Sequence, residues 1–149
     1  MSRTFFRLVA AAALATLAGA CPALTQERTP GGLDFVVGGI GAEEVAAIES
    51  LLASSPYSLA LRTAAHGSGA YLADVDVTIE DGAGRQVFQR RLDGPYLLID
   101  LPPGRYVIVG VREGQVQRIS LDLPRQGRRS LVMYFIVEGE IRPHANDQD

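Results

Sequence analysis

The sequence has no lysine, no tryptophan, one cysteine and two histidines among 149 residues. Its 14 basic residues are all arginine, scattered along the chain against 17 acidic residues, which argues against nucleic acid as a partner. A lone cysteine leaves no intramolecular disulfide, and two isolated histidines are too few for a typical zinc site. The absence of tryptophan weakens the case for a platform that stacks on carbohydrate. We therefore expect no cofactor and no metal.

Length and composition bound the architecture. With 47% hydrophobic and 21% charged residues, the chain suits one small folded domain rather than a multidomain enzyme or a disordered tail.

The first 25 residues have the layout of a secretory signal peptide. Arg3 and Arg7 precede an uncharged run of alanine and leucine over residues 8–20, which is too short to span a bilayer. Export to the periplasm with cleavage is the prediction. Without these two arginines, twelve arginines face 17 acidic residues, a formal charge of −5.

The cleavage position decides the fate of Cys21. The small residues before it resemble a relaxed bacterial lipobox, in which the cysteine is acylated and anchors the protein to the membrane. Alternatively, cleavage just before Gln26 discards the cysteine with the signal peptide. Contact with a membrane is expected only through a lipid on Cys21.

The rest of the chain divides into four segments. Residues 26–33 are predicted as a polar linker, residues 34–56 as an extended segment followed by a helix, and residues 138–149 as a polar tail. In the helix, an apolar face is formed by Val45, Ile48, Leu51 and Leu52.

Residues 57–137 are predicted to form a seven-stranded antiparallel β-sandwich. Val75, Val77 and Ile79 alternate with polar residues, so they face a core. The last strand, residues 131–137, is apolar on both faces, and we expect its outer face to meet the helix.

Turn signals separate these strands. Pro102, Pro103 and Gly104 match a type II turn with the glycine at the position that needs a positive φ. Gly94 with Pro95 and the pair at residues 113–114 mark further turns.

Three stretches, residues 71–77, 94–98 and 101–106, together resemble the carboxypeptidase regulatory-like module, a transthyretin-like (prealbumin-like) seven-stranded sandwich. The residues that carry the resemblance are Gly94, Pro95, Pro102, Pro103, Gly104 and Tyr106. Residues 38–41 and the following helix resemble small exported proteobacterial proteins of unknown function that carry this module. The resemblance implies a non-catalytic sandwich, and it transfers no catalytic residue.

The glycine-rich loop with His66, Ser68 and Tyr71 is the candidate binding loop. A nucleophile and base two residues apart, with no orienting acid placed by the sequence, make a small hydrolase the least favoured alternative. Tyrosines offer aromatic surface for a small ligand or a carbohydrate. No catalytic residue is predicted.

Arginines at residues 85, 90 and 91 would form a basic patch with those at residues 128 and 129 if their hairpins were neighbours, but separately solvated arginines are the favoured interpretation. The function expected from the sequence is that of an exported, non-catalytic cell-envelope module that binds an envelope protein or polymer. A periplasmic module for a small ligand is the alternative.

Overall fold

The computed structural model describes residues 24–54 and 57–139. The signal peptide predicted for residues 1–25 lies outside the described residues except for its last two, and so do Cys21, residues 55–56 and the tail from residue 140.

Nine strands and one helix make up the described chain. In order they are β1 (Gln26–Arg28), β2 (Asp34–Gly38), α1 (Ala42–Ser54), β3 (Leu59–Ala65), β4 (Val75–Asp81), β5 (Gln86–Leu92), β6 (Tyr96–Ile99), β7 (Gly104–Arg112), β8 (Gln115–Leu123) and β9 (Arg129–Phe135). One sheet has the order β1-β2-β6-β3-β9 and the other has the order β5-β4-β7-β8. The mainly β, two-sheet architecture with one short helix near the N-terminus is confirmed.

The strand inventory differs from the prediction in two ways. Each of the seven predicted sandwich strands is present, as β3 to β9, but two more strands join the sheets: β2 forms in the segment predicted to be extended, and β1 lies in the predicted linker. A polar three-residue segment becomes a strand because its backbone pairs with β2, which periodicity cannot reveal. In addition, β3 and β9 pair in parallel, so the expectation of a wholly antiparallel sandwich is wrong. The chain reaches β9 from the other sheet, so no hairpin fixes its direction.

A core fills the space between the sheets. Val75, Val77 and Ile79 are fully buried, as the alternation predicted. Across the core, Phe35 and Phe88 meet edge to face with ring centroids 5.1 Å apart.

The helix covers part of the outer face of the five-stranded sheet. Ile48 is fully buried in a second cluster with Val36, Ala60 and Leu98, which lie on β2, β3 and β6. The helix therefore covers the middle of the sheet, and the expectation that it packs on β9 is wrong.

Two polar contacts fix the helix over these strands. At its start, the Glu44 carboxylate accepts hydrogen bonds from the backbone N–H of Gly39 and Ile40, both 3.0 Å long. At its end, Arg128 Nη1 donates to the Leu52 carbonyl at 2.6 Å. Together these contacts tie the start of α1 to the segment that follows β2 and its end to the residue that precedes β9.

The turns follow the sequence in part. Glu113 and Gly114 both have positive φ, 49° and 77°, which is the signature of a type I′ hairpin between β7 and β8. By contrast, Gly104 has a φ of 150° and already pairs with Leu123. The predicted type II turn, which needs a φ near 80°, is therefore wrong because β7 begins at this glycine.

Gly94 provides a steric test of the fold. A Cβ at this position would overlap the backbone of Gly38 on β2. We predict that Gly94→Ala lowers the free energy of unfolding by about 2–3 kcal/mol, as overpacking of a rigid site does. Gly82→Ala is the matched control, because its nearest neighbour would lie 3.5 Å away. Urea unfolding followed by circular dichroism measures both, and an equal effect of the two variants would contradict this account.

Candidate functional site

The predicted binding loop connects β3 to β4. Gly67 and Gly69 adopt positive φ values of 97° and 73°, and the Gly69 N–H donates to the Ala65 carbonyl at 3.0 Å. The loop then returns alongside β3, where Tyr71 forms an isolated bridge with Ala64. The glycines thus allow the chain to reverse and bring Tyr71 beside the sheet.

This return creates an aromatic surface that we call the tyrosine face, formed by Arg62, His66, Tyr71, Tyr96 and Tyr134. It occupies the outer face of the five-stranded sheet beyond the helix. His66 lies edge-on to Tyr134 at 6.3 Å, and Tyr71 lies similarly against Tyr96 at 5.5 Å. His66 and Tyr71 were predicted as binding residues, and the fold surrounds them with three residues that the sequence does not connect to them.

Arg62 lies at the centre of this face. Its guanidinium carbon is 5.5 Å from the centroid of the Tyr71 ring, a cation–π arrangement. The Tyr71 hydroxyl accepts a 3.0 Å hydrogen bond from the Tyr96 hydroxyl. Arg62 Nε is buried and has no hydrogen-bond partner within the described parts of the chain.

The phenols influence the charge state of this cluster. Hydrogen bonding to Tyr96 raises the pKa of Arg62 above its usual value, and burial raises the pKa of Tyr96. The arginine therefore stays cationic and the Tyr96 phenol stays protonated near neutral pH.

His66 and Ser68 lie in one loop, and Ser68 takes part in a turn there. Ser68 Oγ accepts a 3.2 Å hydrogen bond from the Ala70 N–H, and the His66 ring contacts Tyr134. Serine in such a position typically closes a turn. Among residues 24–54 and 57–139, no group of three histidine, cysteine or acidic side chains is placed to hold a metal ion.

The residues that carried the family resemblance have structural roles. The Pro95 carbonyl accepts a 2.9 Å hydrogen bond from the Thr63 N–H, and the Tyr106 hydroxyl donates to the Pro102 carbonyl at 2.7 Å. Pro103 and Gly104 lead into β7.

A second candidate surface, which we call the seam groove, lies between the sheets where β1 and β5 form neighbouring edges. It has a volume of about 890 Å³. Its apolar lining includes Leu33, Phe35, Val87, Phe88, Leu101 and Tyr106. Sequence reasoning missed this groove, because it depends on β1, which the polar composition of residues 26–28 hides.

The basic patch, the less favoured interpretation of these arginines, does not form. Arg90 and Arg85 line the seam groove, whereas Arg128 holds the end of the helix and also donates to the Tyr57 carbonyl at 3.0 Å. Arg91 lies near Asp74, with a 3.4 Å contact between Nε and the carboxylate. These arginines are distributed over separate surfaces.

Comparison with known proteins adds no assignment, since no protein-family model and no curated protein matches this chain. In the described residues, no helix is both long and apolar enough to cross a membrane.

The turn at the rim of the seam groove generates a pH-dependent prediction. Hydrogen bonds from the backbone N–H of Arg85 and then of Ala83 lower the pKa of Asp81 below its ordinary value of 3.8. Asp81 thus stabilises the fold above that value, and its contribution is lost as the pH falls through the lowered pKa. We expect Asp81→Ala to lower the free energy of unfolding at pH 7, with the deficit shrinking below pH 4.

Urea titrations at pH 7 and pH 3 measure this deficit. Asp122→Ala is the control, because Asp122 is 71% exposed and pairs only with the similarly exposed Arg105 among the described ion pairs. A deficit of the same size at both pH values would contradict the assigned role of the Asp81 charge.

Proposed function

We propose that the protein is an exported, non-catalytic module of the cell envelope that recognises a partner protein through the tyrosine face. The observation that carries this proposal is that Tyr71 and Tyr134 remain about half exposed, 48% and 46%, on either side of the buried Ala64. Large aromatic side chains left exposed on a packed sheet are typical of interaction surfaces.

The register of the sheet explains the spacing of the two tyrosines. Ala64 pairs with Tyr134 on β9 and, on its other side, with Tyr71. Paired residues share a face of a sheet and neighbouring strands lie about 4.8 Å apart, so the two tyrosine backbones are about 10 Å apart. Such a broad, shallow surface suits a macromolecule better than a small ligand.

Charge indicates the chemistry of the partner. Arg62 contacts phenol groups and forms no ion pair within the described residues, so its charge is uncompensated by a carboxylate there. Tyrosine and arginine are the residues most often found at interface hot spots. A partner segment that presents a carboxylate beside apolar side chains fits this face.

The predicted loop contributes contacts that suit recognition. His66 packs edge to face against Tyr134, and Ser68 accepts a hydrogen bond from the Ala70 N–H in a turn that shapes the loop.

The partner interaction is tested by photo-crosslinking in living cells. A photoreactive phenylalanine derivative replaces Tyr134 or Tyr71, and Val116 on β8, which is 62% exposed, is the control position. We expect one protein to be crosslinked from positions 134 and 71 and not from position 116. Binding of that purified protein should weaken at least about tenfold in Arg62→Gln or Tyr134→Ala, as hot-spot residues do.

Other crosslinking results would overturn this proposal. Crosslinks to a polysaccharide would identify the polymer alternative, and equal crosslinking from all three positions would show that the tyrosine face has no special role.

Unchanged urea unfolding of Tyr134→Ala would show that the effect of this substitution is on binding rather than on folding.

Export is tested separately by the intact mass of the protein in soluble periplasmic and membrane fractions of the producing bacterium. We expect a shortened chain, because Arg3, Arg7 and the apolar run have the layout of a signal peptide. A membrane-bound form that begins at Cys21 with added acyl mass identifies a lipoprotein, and a soluble form that begins at Gln26 identifies a diffusible protein. An uncleaved chain in the cytoplasm would contradict export.

A further inference from the structure

The seam groove exists because the two sheets meet differently at their two sides. On one side, Gln115 of β8 bonds to both backbone groups of Ile136 just after β9, through a 2.8 Å bond to the N–H and a 2.6 Å bond to the carbonyl. On the other side, β1 and β5 are separated by a groove of about 890 Å³. This volume is within the range of about 300–1,000 Å³ typical of sites for small molecules.

The floor of the groove is apolar because of a local irregularity in β5. The register with β4 shifts so that Ile79 pairs with Phe88 and Glu80 with Gln86, which leaves Val87 without a partner. A bulge of this kind redirects side chains and is frequent beside binding sites. Val87 thus joins Phe88 and Leu33 in the lining.

Arginines form the rim above this floor. Arg28 donates to Asp34 through Nε and Nη2, at 2.6 Å and 3.1 Å. Arg85 contacts Asp81 through the same two nitrogens, at 3.0 Å and 2.9 Å. In these contacts each guanidinium leaves its Nη1 group for a further acceptor, and the two side chains are 68% and 80% exposed.

Each lining arginine is paired with a carboxylate. Arg28 pairs with Asp34, Arg85 with Asp81 and Arg90 with Glu27, so the formal charge of these pairs is zero. The feature that favours an anion is the pair of Nη1 groups that Arg28 and Arg85 leave for a further acceptor at the exposed rim.

An ion pair across the groove favours a compact ligand over an extended peptide. Arg90 Nη1 donates to Glu27 across the seam, and its guanidinium lies 5.3 Å from the centroid of the Phe35 ring. A peptide that added to the edge of β5 as a strand would have to break this pair, whereas a compact ligand fits beside it.

We propose that the seam groove binds an amphipathic monoanion, an acyl or aryl body with a single anionic head group. The apolar body lies on Leu33, Val87 and Phe88, and the head group accepts hydrogen bonds from Arg85 and Arg28. Charge-assisted hydrogen bonds from a guanidinium are the strongest that a rim at the surface offers an anion. The site is separate from the tyrosine face and does not depend on it.

Decanoate is the probe, measured by calorimetry on the full mature protein below the micelle concentration. Decanol and decyltrimethylammonium, which carry the same chain with no charge and with a positive charge, are the comparison ligands. We expect decanoate to bind at least about fivefold more tightly than either, given one charge-assisted contact at an exposed site. Equal binding of decanol and decanoate, or no binding of decanoate and of the vesicles described below, would overturn the proposal.

Two pairs of variants locate the site. Arg85→Gln should weaken decanoate about fivefold, and Arg91→Gln, a change on the same strand outside the groove lining, should leave it unchanged. Val87→Asp should abolish binding, and Val116→Asp on β8 should not. Equal effects within either pair would overturn the assignment, and urea unfolding of each variant separates loss of binding from loss of fold.

Vesicles distinguish the source of the head group. If phosphatidylglycerol vesicles bind in an Arg85-dependent manner and phosphatidylcholine vesicles do not, the anion is a membrane lipid head group. If only dissolved decanoate binds, the ligand is a free amphiphile. If an extended peptide binds instead and shifts the backbone amides of β5, strand addition replaces this proposal.

Discussion

The buried hydroxyl of Thr63 is the interaction on which the tyrosine face depends. Thr63 has no solvent exposure, and its hydroxyl donates to the Leu72 carbonyl at 2.5 Å. Its backbone N–H donates to the Pro95 carbonyl at 2.9 Å, and its own carbonyl accepts from the Leu72 N–H at 3.1 Å. A buried polar group must be satisfied in this way, so one residue of β3 fixes both the return of the loop and the start of β6. Tyr71 precedes Leu72 and Tyr96 follows Pro95 in the sequence. The hydrogen bonds of Thr63 to Leu72 and Pro95 therefore bring the two tyrosine rings together.

Once β3 is fixed, the outer face of its sheet is divided in two. Ala60 is covered by the helix, and its small side chain lets Ile48 approach closely. Two residues along the same strand face, Arg62 lies beyond the helix, among phenols instead of aliphatic side chains. The helix is 13 residues long, and its buried Ile48 packs on Val36, Ala60 and Leu98 of β2, β3 and β6 instead of on β9. The exposure of Tyr134 is therefore a consequence of how long the helix is and where it is anchored.

The sequence predicted the elements whose burial differs between their two faces. Val75, Val77 and Ile79 alternate with polar residues, and the apolar face of the helix contains the buried Ile48. It could not predict β1, because a polar segment such as residues 26–28 becomes a strand only through its partner. The same reason hides the parallel pairing of β9 and the unpaired Val87, since both depend on register between distant segments.

The candidate site was predictable to the same limited extent. His66 and Tyr71 stand out because they follow a glycine-rich loop, whereas Tyr134 is one alternate residue in a strand that is apolar on both faces. Only the pairing of Ala64 with both tyrosines reveals that they flank one position. The arginines show the same limit on predicting a role from the sequence, since Arg128 binds a helix end, Arg62 lies among phenols and Arg85 lines a groove. Residue type was known for all three, but their roles depend on which groups the fold places beside them.

The two candidate surfaces lie on different sides of one sheet. The seam groove opens between the two sheets beside β1 and β2, whereas the tyrosine face lies on the outer face of the five-stranded sheet, on β6, β3 and β9. The sheet lies between them, so a ligand in the groove does not occlude a partner on the face. Energetic coupling between them would require the sheet itself to have two arrangements, since packed sheets do not deform continuously. The fully buried residues of β6 and β3, including Leu97, Leu98, Leu59 and Leu61, leave little room for a second arrangement. The two surfaces are thus expected to act independently, with the sheet as a rigid support for both.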